Sequence, residues 1–163
     1  MERKISGILL ILLFFLGWAL TPFPGQGEAF GFLSDRAAGI TGVALIRLPG
    51  LLLPEGLDGK GERIGLADSG LDTGNPGDLH PDLMDPGSPI PKVLMLRSWA
   101  GREKADDPLG HGTHLAGLLV GSGSLSQGQF RGLAPGAHLY FQGLLDPQGR
   151  LSPPQNLEEL FRP

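Results

Sequence analysis

Hydrophobic and polar positions fall into a few short apolar runs separated by stretches dense in glycine and proline. The run Arg63-Ile64-Gly65-Leu66-Ala67 closes on Asp68-Ser69-Gly70, a pattern that predicts a strand delivering a carboxylate into a turn. Lys92 to Trp99 and His138 to Leu144 predict two further buried strands. Between these two, Gly110-His111-Gly112-Thr113-His114-Leu115-Ala116-Gly117 leads into Leu118-Leu119-Val120, which predicts a loop turning into a buried helix. His111 then stands at the helix start, where unsatisfied N–H groups and the positive end of the dipole lie. Small residues at Gly112, Ala116 and Gly117 are expected to let this helix lie close to a sheet. Strands alternating with a helix imply a parallel α/β sheet joined by right-handed crossovers. Apolar residues at Ala37, Ile40, Ala44 and Leu48 sit near helical spacing outside that sheet until Pro49-Gly50 breaks the run, and a last helix is expected from about Pro154.

The intervening stretches read as loops. Asn75 to Pro91 is rich in Pro, Gly and Asp, and Ser122 to Gly128 alternates Ser with Gly; both predict surface connections. Leu57-Asp58-Gly59-Lys60-Gly61 predicts a turn feeding the first strand. Arg3 and Lys4 precede an apolar run from Ile8 to Leu20, which Thr21-Pro22-Phe23-Pro24-Gly25 stops. That run falls short of the roughly 20 apolar residues of a membrane span and suits the core of an export signal. Gly27-Glu28-Ala29 matches a small-x-small cleavage site loosely, so residues 1–29 read as a signal peptide or N-terminal anchor, with no other membrane segment.

Composition narrows the function. A length of 163 residues allows one domain. With 27 glycines and 15 prolines the chain is loop-rich, as when functional loops ride on a scaffold of sheet and helix. A formal net charge of −4 without any Lys/Arg run offers no surface for nucleic acid. The absence of cysteine excludes disulfides and a thiol nucleophile.

An acid at a strand end and a histidine at a helix start are two parts of a nucleophilic triad. Each residue also has a plainer reading. Asp68 suits an Asx-turn bonded to the backbone at Gly70, and His111 suits a helix-entry histidine bonded to a carbonyl. His111-x-x-His114 has the spacing of a metal pair but lacks a convincing third ligand, so the metal question stays open. Asp106 and Asp107 read as a solvated turn, with Arg102 and Lys104 nearby for surface pairing. A non-catalytic α/β binding module using Gly59-Lys60-Gly61 is the alternative class; its glycines precede the strand, whereas a phosphate loop follows one.

Asp68-Ser69-Gly70-Leu71, His80-Pro81-Asp82-Leu83, the His111 block and Gly132-Leu133-Ala134-Pro135-Gly136-Ala137 together resemble the successive motifs of the subtilisin-like serine proteases, the subtilases. Leu66 to Gly74 and Leu139 to Phe161 are similar to the oxidant-stable alkaline subtilases that carry a C-terminal β-jelly roll. The resemblance implies a three-layer α/β fold around a parallel central sheet, of which this is the N-terminal part. It implies a secreted serine endopeptidase acting on proteins or peptides through an Asp-His-Ser triad, with Asp68 and His111 the catalytic members present and His114 structural. No cofactor is required by that chemistry. A structural calcium is compatible with it, and Asp72, Asp78, Asp82 and Asp85 are the oxygen donors at hand, although loop solvation accounts for them better. Gly149 to Pro154 would edge the substrate cleft and bind peptide by strand addition.

The resemblance also departs from the family. Ser69, Ser122, Ser124 and Ser152 lack the Gly-Thr-Ser setting of the nucleophile, and the oxyanion asparagine has no candidate. Residues 30–56 form an N-terminal extension too short for a folded propeptide, and 57–163 hold the N-terminal part of the catalytic domain. The expectation is an incomplete unit, inactive alone and with exposed apolar surface; a truncated pseudoprotease is the alternative outcome.

Overall fold

The computed structural model describes residues 34–162 apart from 86, 87 and 89, so the expected signal or anchor segment lies outside the described residues. Among the described residues no helix is long and apolar enough to cross a membrane. Three strands form one sheet: β1 (Arg63–Asp68), β2 (Val93–Ser98) and β3 (His138–Gly143). All pairings are parallel and the order is β1-β3-β2. The α/β architecture with a parallel sheet is thus present, and each strand lies within a residue or so of its expected span. Pairing of β2 with β3 slips between Val93 and Met95, a local irregularity that the apolar pattern does not show.

Because the strands are parallel, their carboxyl ends lie together, which is where open α/β sheets bind ligands. Asp68, Ser98 and Gly143 occupy that edge, and the ladder continues past it through Leu144 N–H to Asp68 O (2.7 Å) and Trp99 N–H to Gly143 O (2.9 Å). Beyond β3 the chain turns back on itself. Leu145 and Leu151 form an antiparallel bridge around a turn at Asp146 to Arg150, and Ser152 N–H reaches Leu144 O (2.7 Å). Residues 149–154 therefore flank the Asp68 end of the sheet.

Helix α3 (His111–Val120) connects β2 and β3 and packs on β1 and β3. Its buried positions are Gly112, Ala116 and Val120, spaced four apart on one face. Gly117, expected to share in close packing, does not: a Cβ there would meet nothing within 4 Å. The core gathers Leu66, Leu71, Leu83, Val93, Ala116, Val120, Leu139 and Phe141 beneath that face. Full burial of a Leu, Val or Phe side chain contributes about 1.5–3 kcal/mol, so this cluster is what seats α3 on the sheet.

Outside the core, the expected continuous helix from Asp35 to Leu48 is instead α1 (Ser34–Ile40) and α2 (Val43–Ile46), parted at Gly42, whose φ of 78° no continuing helix residue adopts. The segment is tied down through Leu57 N–H to Ile46 O and the Arg47 guanidinium to Gly132 O. The helix expected from Pro154 is also shorter, a 3-10 turn over Leu157–Phe161 capped by Asn156, since two prolines and a serine precede it. Exposed Leu51, Leu52, Leu109, Leu125, Phe130, Leu157 and Phe161 supply the apolar surface anticipated from the sequence.

Candidate active site

Strand β1 ends in a carboxylate and α3 begins with an imidazole, and the fold brings the two together. His111 Nδ1 lies 2.8 Å from Asp68 Oδ1. Asp68 is buried while the His111 side chain is 44% exposed, so one partner is fixed and the other faces the open edge. The carboxylate does not form the alternative Asx-turn with Gly70; its Oδ1 accepts instead from Ser69 N–H at 2.7 Å. A buried carboxylate needs such donors to offset its lost hydration.

Two close approaches make this geometry, and both demand glycine. A Cβ at Gly112 would sit 2.3 Å from Gly70 O, 2.9 Å from Phe141 Cζ and 3.1 Å from Asp68 Oδ1. A Cβ at Gly70 would sit 2.1 Å from Asp106 O. The backbone after β1 thus passes between the start of α3 and the 105–106 loop with no room for a side chain, and Leu71 N–H closes that contact on Ala105 O (2.7 Å).

Asp106 and Asp107, expected as a solvated turn, divide in the structure. Asp106 pairs with Arg102 as the surface reading anticipated. Asp107 instead turns inward. Its Oδ2 accepts from Thr113 N–H (2.8 Å) and Thr113 Oγ1 (2.6 Å), and its Oδ1 accepts from Ser69 Oγ (2.7 Å). Gly110 at the N-cap of α3 has no side chain to offer, so Asp107 does the capping from three residues earlier. Ser69 is buried, and its Oγ also accepts from Gly112 N–H (3.0 Å). The sequence reading left Asp107 in a solvated turn and weighed Ser69 only as a nucleophile. The signal was available: a helix that opens on Gly-His-Gly needs its capping oxygen from elsewhere, and Asp107 is a nearby acid.

The remaining candidates fall elsewhere. His114 is exposed on the first turn of α3. Among the described residues no three His, Cys, Asp or Glu side chains are grouped to hold a metal ion, so the His111/His114 pair gains no third ligand. The carboxylates considered for calcium do not converge either. Asp82 Oδ1 accepts from Ser124 Oγ (2.8 Å), Ser122 Oγ (3.2 Å) and Leu125 N–H (3.2 Å), and Asp72 Oδ2 accepts from His80 N–H. Those same bonds occupy Ser122 and Ser124. Burial alone would raise the Asp82 carboxyl, but the bonds from Ser124, Leu125 and Ser122, with His80 nearby, outweigh it and hold the group below its ordinary range.

The family model of the subtilases matches residues 59–159, a span that contains both Asp68 and His111. The chain belongs to the subtilase family. This subtilase chain is 38% identical over 93 residues to serine protease AprX of Bacillus subtilis (strain 168), covering 57% of the chain and 19% of AprX. It is 33% identical over 110 residues to the serine protease/ABC transporter B family protein tagA of Dictyostelium discoideum, and 30% identical over 119 residues to tagB of the same organism. Each of these two alignments covers 66% of the chain and 6% of the relative. The chain thus spans about a fifth or less of the length of these relatives.

Proposed function

We propose that Asp68 and His111 are the acid and base of a serine-endopeptidase triad, completed by a serine carried elsewhere in a longer protein. The observation that carries the reading is the 2.8 Å contact between His111 Nδ1 and Asp68 Oδ1 at the carboxyl edge of a subtilase sheet. Asp68 accepts a hydrogen bond from Nδ1–H, which fixes the tautomer that leaves Nε2 as the base and stabilises the imidazolium formed in turnover. His111 takes the hydroxyl proton of the serine as it attacks the peptide carbonyl, then returns it to the leaving amine. Ser69 is not that serine, being buried with its hydroxyl bonded to Asp107.

The finer features belong to the same proposal. The protein is exported, with residues 1–29 as signal or anchor, 30–56 as an extension and 57–163 as the first part of the catalytic domain. The resemblance of Leu66 to Gly74 and Leu139 to Phe161 to the oxidant-stable alkaline subtilases with a jelly roll belongs to it too, and its substrates are proteins or peptides lying along residues 149–154. In the full-length protein, His111→Ala and Asp68→Asn should each lower peptide turnover by orders of magnitude, with about 10⁴-fold for Asp68→Asn, the size of the acid-to-amide effect in another serine-protease triad. Peptidase activity that survives His111→Ala sinks the reading, as does activity lost to a chelator and restored by zinc.

A further inference from the structure

We propose that Asp107 is a positioning residue for the Asp68–His111 pair, acting by claiming the single hydroxyl proton of Ser69. The inference rests on the triad reading above. Ser69 Oγ lies between two carboxylates, 2.7 Å from Asp107 Oδ1 and 3.1 Å from Asp68 Oδ1. A hydroxyl carries one proton, so it satisfies one of them only. The shorter contact assigns the proton to Asp107. Asp68 Oδ1 then keeps two donors, Ser69 N–H at 2.7 Å and His111 Nδ1 at 2.8 Å, and retains the charge that stabilises an imidazolium.

The orientation of Asp107 is itself enforced. Asp72 N–H donates to Thr113 Oγ1 (2.8 Å), which turns the threonine proton toward Asp107 Oδ2. Thr113 N–H points at that same oxygen. Only Oδ1 is left to face Ser69. The arrangement therefore keeps the Ser69 proton on Asp107 and away from Asp68 Oδ1.

An amide at position 107 would reverse that hydroxyl. Two donors from Thr113 require the amide carbonyl, so the NH₂ group must face Ser69 and donate to it. Ser69 would then turn its proton to Asp68, giving Oδ1 a third donor and weakening its hold on the imidazolium. The charged and titratable groups around this corner are Asp68 at the end of β1, Asp72 with His80 in the following loop, Asp107 and the Arg102–Asp106 pair before α3, and His114 on the helix.

The test is the pH profile of kcat/KM in the full-length protein, with the imidazole of His111 titrated by NMR alongside. Asp107→Asn should move the acid limb of that profile to lower pH, because an ion pair with a weaker carboxylate partner favours the imidazolium less. Its kcat should fall roughly threefold to tenfold, because a weaker base takes the serine proton less readily, with KM unchanged. Ser69→Ala should leave the limb where it is, since the lost proton was never on Asp68. In the Ser69→Ala background Asp107→Asn should move the limb much less, because the hydroxyl that carried the effect is gone. A smaller active fraction with an unmoved limb in Asp107→Asn overturns the proposal, and so does an upward shift in Ser69→Ala. Activity that survives His111→Ala tells against the triad reading itself and is read separately.

Discussion

Helix α3 is held at its two ends by opposite means. Its first turn is gripped by acidic side chains: Asp107 caps Thr113, and Asp68 holds His111. Its last turn is gripped by a cation and by backbone. The buried Lys92 ammonium donates to Val120 O (2.7 Å) and Pro135 O (2.6 Å), and the 132–134 strand of loop runs alongside with Leu133 N–H to Leu118 O (2.8 Å) and Ala134 N–H to Leu119 O (2.7 Å). Acids at the start and a cation at the end match the helix dipole. The difference lies in exposure. At the far end Lys92 and Val120 are buried, while at the His111 end a buried carboxylate supports an imidazole that reaches the surface. The proposed base can thus reach a substrate while the carboxylate that supports it stays fixed.

The largest effect is expected at the His111 end of α3. Gly112→Ala puts a methyl against Gly70 O, Phe141 and Asp68 at once, and none of the three can withdraw without unseating α3. A loss of about 3 kcal/mol is expected, at the upper end for overpacking, read as a lower denaturant midpoint together with loss of the His111–Asp68 contact. A variant of native stability would show that the helix start is looser than these distances imply.

At the far end Lys92→Met should cost about 2 kcal/mol by removing a charged donor from two buried carbonyls. Because burial lowers the pKa of Lys92, the ammonium is held at some expense, and the loss should stay below that for Gly112→Ala. Chemical denaturation of both variants checks the order. An equal or larger loss for Lys92→Met would make the far end the stronger anchor.

The smallest effect is expected at Asp82, which ties the loop after α3 through Ser122, Ser124 and Leu125. Its folded pKa is depressed, so its ionised form contributes stability above the unfolded pKa and loses that contribution as pH falls through the folded one. The stability difference between wild type and Asp82→Asn should therefore be constant near neutral pH and shrink in acid, below the ordinary carboxylate range. A difference that persists unchanged at low pH would mean that the loop does not depend on this charge.

Much of this molecule was legible as a string. Three apolar runs of strand length, a glycine-rich entry to an apolar helix, an acid closing one run and a histidine opening the helix follow from periodicities that local sterics impose within a few residues. Asp68 and His111 were visible because each stands where apolar or small residues would otherwise serve. Contacts made across the fold were not visible. The shared hydroxyl of Ser69 and the burial of Lys92 depend on partners from 28 to 43 positions away, and a polar residue written in a loop looks the same whether it faces water or a helix end. The slip in β2, the break at Gly42 and the single turn after Pro154 likewise depend on what the neighbouring chain permits. Short-range sterics set the elements and their order; which polar groups leave water was decided only when β1 and α3 were packed within a side chain's width of each other, because desolvation is a property of the assembled surface and not of the residue.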